Sequence, residues 1–220
     1  MVAILEKIVL DDFSTYGKCY LFHYGTVQDC LQKNYFEFHV GNLYGIVGEF
    51  GNGGAALSCG ITGNTDFYEG NVYIDDQESS MEYVIKNSWY VGLDLKNPKR
   101  LFKKRQTIRQ QIEYGVRNIN QEFDAETIQS IFRLSDARID RYIEFVSGER
   151  WKMSAAIGYA NGRKIFCYPW MNSRDIEHLK EQLSNTIKYL LDSDCIVIVP
   201  TTTEENVKKI CSKYNIFRID

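Results

Sequence analysis

Apolar and polar residues alternate along Tyr35–Val40, with Phe36, Phe38 and Val40 on one side, and this predicts a half-buried strand. Gly41-Asn42 interrupts the pattern. Leu43–Val47 then runs almost wholly apolar, as a strand covered on both faces does. A glycine-rich stretch, Gly48–Gly54, leads into Ala55–Thr62, which reads as the start of a helix, so the local order is strand, glycine loop, helix. Further strands are predicted at Gly70–Asp76, at Lys164–Tyr168 (ended by Pro169) and at Cys195–Val199. Along Asp175–Leu191, the residues Ile176, Leu179, Leu183, Ile187, Leu190 and Leu191 recur at helical spacing, and Glu204–Tyr214 reads as another helix. Residues 99–150 are polar and helical in pattern, for example over Thr107–Val116 and Ala125–Phe132. Strands that alternate with helices predict an α/β fold. With no internal repeat and no linker, the chain reads as one domain over residues 1–220, with a helical subdomain at about 95–150.

Composition narrows the function classes. The 220 residues are 44% hydrophobic and 25% charged, which excludes a disordered chain and allows a continuous core. No apolar run approaches the roughly 20 residues that span a bilayer. Met1–Asp12 carries Glu6 and Lys7 in its middle and has neither a basic start nor a small-residue cleavage site, so it reads as a strand and not a signal peptide. A soluble cytoplasmic protein is expected. The net charge of −3 gives no general reason to expect nucleic acid. The six cysteines include no Cys-x-x-Cys pair, and His23, His39 and His178 lie far apart, so no metal site is expected and the thiols read as reduced.

The glycine loop carries the candidate chemistry. A P-loop needs Gly, four residues, Gly, Lys and then Ser or Thr between a buried strand and a helix; its backbone amides wrap phosphate, and the helix dipole adds to the attraction. Here Gly48 and Gly53 have that spacing in that place, with Gly51 and Asn52 between them. Gly54 stands at the lysine position, Ala55 at the hydroxyl position, and Ala56 follows. Glycines after a strand also serve ordinary turns. A Rossmann-type loop is a further alternative, because Glu69 lies at a suitable distance for its acidic residue.

Several segments together resemble, in order and approximate spacing, the nucleotide-binding subunit of ATP-binding-cassette (ABC) transporters. Tyr24-Gly25 with Phe36–Gly48 is similar to the family's opening strands, and Leu57–Gly63 with Gly70–Asp75 to the stretch after its P-loop. Tyr90-Val91, Leu101-Phe102 and Thr107-Ile108 are similar to the region after its glutamine loop. Val146-Ser-Gly-Glu-Arg150 resembles the Leu-Ser-Gly-Gly-Gln signature, Lys164–Pro169 the Walker B strand, and Ile196–Glu205 the switch region. The resemblance implies a P-loop NTPase core with an antiparallel edge and a helical subdomain. It also implies which chemistry is missing. The Walker B aspartate and catalytic glutamate correspond to Cys167 and Tyr168, the glutamine loop to Leu93 or Asp94, and the switch histidine to Thr202. A tyrosine with a reference pKa of about 10 is a poor base at neutral pH. Phosphoryl transfer rests on positioned metal and charge, so an ordinary ATPase is not expected. Tyr24 is the candidate for adenine stacking, with Tyr16 and Tyr20 as rival placements. Ser147 and Gly148 keep the centre of the signature, whose plainer reading is a helix start capped by Ser147.

Pro98–Arg105 with Arg109 places six cations in eleven residues. A solvated helical face is the plainer account, and the resemblance puts the segment near a contact with a membrane subunit. The sequence reading is thus a catalytically degenerate cassette subunit of an ABC transporter, at the inner face of the plasma membrane. It would pair with a membrane subunit and a second nucleotide-binding subunit. No cofactor is firmly implied; ATP, held weakly and without its normal magnesium ligands, is what the loop could still take. The alternatives are a divergent active ATPase and a soluble regulator or scaffold with the same fold.

Overall fold

Leu43–Val47 and Ile196–Thr201 are buried along their whole length and lie side by side as parallel strands, as their continuous apolar runs require. The computed structural model describes residues 5–21, 25–65, 67–93, 105–120 and 122–220. In chain order its elements are β1 (Lys7–Leu21), β2 (Gly25–His39), β3 (Leu43–Val47), α1 (Gly54–Ile61), β4 (Phe67–Ile74), β5 (Gln77–Ser79), α2 (Met81–Asn87) and β6 (Ser88–Tyr90). There follow α3 (Ile108–Asn118), α4 (Ala125–Ile131), α5 (Asp136–Ile139), α6 (Arg150–Ala160), β7 (Ile165–Cys167), α7 (Ser173–Asp192), β8 (Ile196–Thr201), α8 (Glu204–Ile210) and β9 (Asn215–Arg218). Met1–Tyr90 with Lys164–Asp220 makes one compact unit, and Val91–Arg163 makes a second.

The first unit contains both sheets. One is parallel, in the order β6-β7-β8-β3-β9; the other is antiparallel, in the order β2-β1-β4-β5. Helix α1 is buried at every position, which matches a sequence that is apolar all round. Helix α7 instead buries one stripe, Ile176, Leu179, Leu183, Ile187 and Leu190, and runs two residues beyond the predicted start and one beyond the predicted end. An aromatic cluster ties β2 to the parallel sheet: Phe38 meets Tyr44 edge-on at 4.9 Å and Phe36 meets Phe217 at 5.2 Å. The His39 backbone N–H donates to Tyr44 Oη at 2.7 Å, which satisfies the one polar group of that cluster.

Three parts of the fold differ from the sequence expectation. The predicted strands within Met1–Asp12 and at Tyr35–Val40 are the outer ends of one hairpin of two 15-residue strands, β1 and β2, paired antiparallel from Lys7↔His39 to Leu21↔Gly25. Only alternate residues of β2 turn inward, so its middle looks polar in sequence. The predicted helix Glu204–Tyr214 stops at Ile210, and Asn215–Arg218 adds a parallel strand beside β3. The strand predicted at Gly70–Asp76 begins earlier, at Phe67.

In the second unit, α6 is buried from Trp151 to Ala160 apart from Lys152, and α3 packs on it through Ile108, Ile112 and Gly115. Gly115 allows the close approach, since a Cβ there would fall 2.5 Å from the Ala160 carbonyl oxygen. The helical region expected at about 95–150 lies within this unit; residues 94–104, with most of the basic run, lie outside the described residues. The run's two described cations are both used inside the unit. Arg105 pairs with Glu144 and stacks over the Tyr142 ring at 4.8 Å, while Arg109 makes a two-pronged ion pair with Asp140 at 2.8 and 3.2 Å.

Candidate functional site

The glycine loop leaves the carboxyl end of β3 and enters α1, where the strands' C-terminal edges converge. The Gly48 N–H donates to the Thr201 carbonyl at 3.1 Å, and the Gly48 carbonyl accepts from Trp170 Nε1 at 3.2 Å. The loop therefore touches the end of β8, the switch-like strand, and the residue after Pro169, beyond the Walker B-like strand. Phe50 packs edge-on against Trp170 at 5.3 Å.

Close packing explains the glycines. A Cβ on Gly48 would fall 2.5 Å from the Ile219 carbonyl oxygen, and one on Gly54 would fall 3.0 Å from Pro200 Cβ. Gly53 is held at φ +99°, a conformation that L side chains rarely adopt, and its Cβ would lie 2.6 Å from Leu31 Cα on β2. Strand β2 thus runs directly against the loop. The position that a P-loop gives to lysine is a packed glycine, and Ala55 and Ala56 behind it are buried.

The space that faces the start of α1 is taken by the chain itself. Asp29, on β2 and 4% exposed, points its carboxylate at the helix N-terminus. Oδ1 accepts from the Gly53 N–H at 3.1 Å and from the Cys30 N–H at 3.0 Å; Oδ2 accepts from the Ala56 N–H at 2.9 Å. Gly53 is the N-cap of α1 and has no side chain to offer, so Asp29 supplies from far along the chain what a local Ser or Asp ordinarily supplies. A buried carboxylate needs such partners. Three amide hydrogen bonds and the positive end of a helix dipole meet that need.

The remaining predicted residues divide into two groups. Cys167 and Tyr168, at the end of β7, are fully buried, and burial pushes both the thiol and the phenol well above their ordinary pKa. Neither can carry negative charge toward a ligand at neutral pH. Thr202, at the switch position, accepts at Oγ1 from Asn206 Nδ2 at 3.1 Å; Asn206, wholly buried, also donates to Thr201 Oγ1 at 2.9 Å and to Ser173 Oγ at 3.1 Å. That amide fastens the end of β8 to the start of α7. Ser147 and Gly148 belong to the second unit and are exposed on the 3-10 turn that leads into α6. Ser147 is not a helix cap: it sits at φ +44°, and α6 begins after Glu149 with no side-chain cap. Glu149 is balanced by Arg138 and Lys152, each at 3.6 Å. The Leu93 carbonyl accepts from Ser154 Oγ at 2.6 Å. Tyr24 and Asp94 lie outside the described residues; Tyr16 lies on β1 with its ring 5.2 Å from Phe67.

These residues do not fit a magnesium nucleotide. The Gly53 and Ala56 amides already donate to Asp29, a Cβ on Gly54 would fall 3.0 Å from Pro200 Cβ, and β7 ends at Cys167, followed by Tyr168, where the resemblance expects carboxylates. Among the described residues, no three His, Cys, Asp or Glu side chains are placed to hold a metal. Sequence reasoning missed Asp29, Trp170 and Ile219. Asp29 had a readable signal, since it falls on the inward positions of an alternating strand, between Val27 and Leu31.

No family model matches the chain. A Clostridium tetani protein described as an ABC transporter ATP-binding protein is 24% identical over 186 residues, which cover 82% of this chain and 41% of that relative. The chain thus spans about two fifths of the length of the curated relative that it matches. An ABC transporter ATP-binding protein of Pyrococcus furiosus superposes with a TM-score of 0.62 at 12% identity, over 97% of both chains. CbiO1 of Clostridium perfringens, part of the CbiONQ ABC transporter complex, gives 0.60 at 14% identity over 96% of this chain and 85% of its own. A bacterial Atm1-family ABC exporter gives 0.58 at 16% identity over all of this chain and 38% of the exporter. The chain has the fold of ABC-transporter ATP-binding domains, an α/β core of P-loop NTPase type. No helix among the described residues is long and apolar enough to cross a membrane.

Proposed function

We propose that this chain is a catalytically degenerate ATP-binding-cassette subunit, which serves an ABC transporter as structural partner to an active ATPase subunit and a membrane permease. The observation that carries the reading is the pair Cys167 and Tyr168. At the end of β7, where the resemblance expects a metal-holding aspartate and a catalytic glutamate, stand two fully buried groups whose burial keeps them uncharged. Gly54 and Ala55 remove the cation and the hydroxyl from the same loop. Phosphoryl transfer works through positioned charge and metal, and this arrangement supplies neither.

The fold is maintained while the chemistry is not, which suits a chain whose work is to present surfaces. Ser147 and Gly148 are exposed, and their turn is the part of this chain that a second cassette's nucleotide would meet. That its relatives are ABC transporter ATP-binding proteins, one of them part of a transporter complex, supports membrane partnership. The reading is tested by recovering the tagged chain from solubilised native membranes and identifying its partners by mass spectrometry. The expected result is a polytopic membrane subunit together with a second cassette chain that has a complete lysine, aspartate, glutamate and histidine set. Recovery of the chain alone, from the soluble fraction only, would contradict it.

A further inference from the structure

We propose that Asp29 is the resident anion of the glycine loop: its carboxylate occupies the amides that would cradle phosphate and keeps nucleotide out. The inference rests on reading Gly48–Ala56 as the cassette's phosphate loop. The two oxygens of Asp29 bridge the first turn of α1, one on Gly53 and one on Ala56, and so take up the N-terminal amides with which such a loop grips an oxyanion. The carboxylate brings one negative charge and multiple acceptor sites to a place built for them, at no cost of binding from solution.

The strand that carries Asp29 makes the occupation structural. Leu31, two residues on and facing the same way, lies against Gly53, and this part of β2 pairs with β1 in unbroken register from Thr15↔Leu31 to Leu21↔Gly25. An external phosphate would meet a buried carboxylate first, and like charges at that distance repel strongly where water is excluded. A filled anion site is therefore compatible with the absence of a lysine at position 54. The oxyanion is already covalently tethered, so no side chain is needed to attract one.

The test is amide hydrogen exchange and chemical-shift titration of the full ¹⁵N-labelled chain, with inorganic pyrophosphate as the probe. In the wild-type chain, the Gly53 and Ala56 amides should exchange about a hundredfold more slowly than the exposed Gly51 amide. Neither resonance should move with pyrophosphate. In Asp29→Ala, exchange at both should quicken at least about tenfold, and pyrophosphate should slow it again with saturation. Pyrophosphate shifts of those amides in the wild type would overturn the assignment, and so would a folded Asp29→Ala chain whose two amides ignore the probe. If Asp29→Ala does not fold, the wild-type exchange decides: Gly53 and Ala56 as fast as Gly51 would overturn it. ATP hydrolysis by the wild-type chain would overturn the exclusion of nucleotide, whereas recovery of the chain alone from the soluble fraction would sink the transporter reading and leave the Asp29 assignment standing.

Discussion

Helix α7 satisfies its first amides from its own sequence, whereas α1 takes its acceptor from a strand 24 residues upstream. At α7, Asn172 Oδ1 accepts from the Asp175 N–H at 2.9 Å and Asp175 returns a contact to the Asn172 N–H, a closed local capping box. At α1, the N-cap is a glycine, and the acceptor is the buried carboxylate of Asp29. A local cap can be exchanged with little consequence beyond the helix. A distant one couples the helix start, the glycine loop and the β1–β2 hairpin into one packed assembly.

The comparison predicts a ranking of effects. Asp29→Ala leaves buried N–H groups without an acceptor and should lower unfolding stability by about 3 kcal/mol in chemical denaturation. Asp29→Asn should cost less, because one side-chain oxygen remains. Gly53→Ala forces a Cβ to within 2.6 Å of Leu31 Cα at a left-handed φ and should cost about 2 to 3 kcal/mol. Gly51→Ala shares the φ but meets nothing within 4 Å, so its cost should stay near 1 kcal/mol. If the two glycine substitutions cost the same, β2 does not press on the loop as described. Asn172→Ala, which removes the local cap of α7, should cost about 1 kcal/mol and leave exchange at Gly53 and Ala56 unchanged.

The smallest effect concerns a local carboxylate cap on an exposed helix. Asp124 accepts from the Thr127 N–H at 2.7 Å, and its hydrogen bonds to Thr127 hold the carboxyl below the usual carboxylate range. Its folded pKa is below its unfolded value. The stability it adds is therefore fully present above the unfolded value, near pH 4, and is lost as pH falls through the folded value. Asp124→Asn should lower the unfolding midpoint slightly at pH 7 and flatten the acid limb below about pH 4, so that the two chains converge at low pH.

Whether a residue could be read from sequence depended on the range of its contacts. The strands β3 and β8, helix α7 and the strand–loop–helix around Gly48–Gly53 were all legible, because each is defined by its own apolar period or by turn residues within a few positions. The long hairpin was not. Its residues 13–19 and 25–32 expose alternate side chains, and its stability comes from pairing and from one face packed on α1. Strand β9 is short and half-exposed, and only its parallel pairing with β3 defines it. The spacing of the loop's glycines was read as a phosphate cradle. It could not reveal that Gly48, Gly53 and Gly54 are also packed by Ile219, Leu31 and Pro200, which are distant in sequence. Cys167 and Tyr168 could be set against motif positions only through the resemblance, and their complete burial depends on the sheet around them.

The central claim is that this cassette fold no longer performs nucleotide chemistry. Calorimetric titration of the full purified chain with Mg-ATP, with phosphate release followed in the same sample, tests it most directly. The account predicts no saturable heat up to millimolar ATP and no release above a buffer blank. Saturable binding together with phosphate release that disappears in Gly53→Val would contradict it.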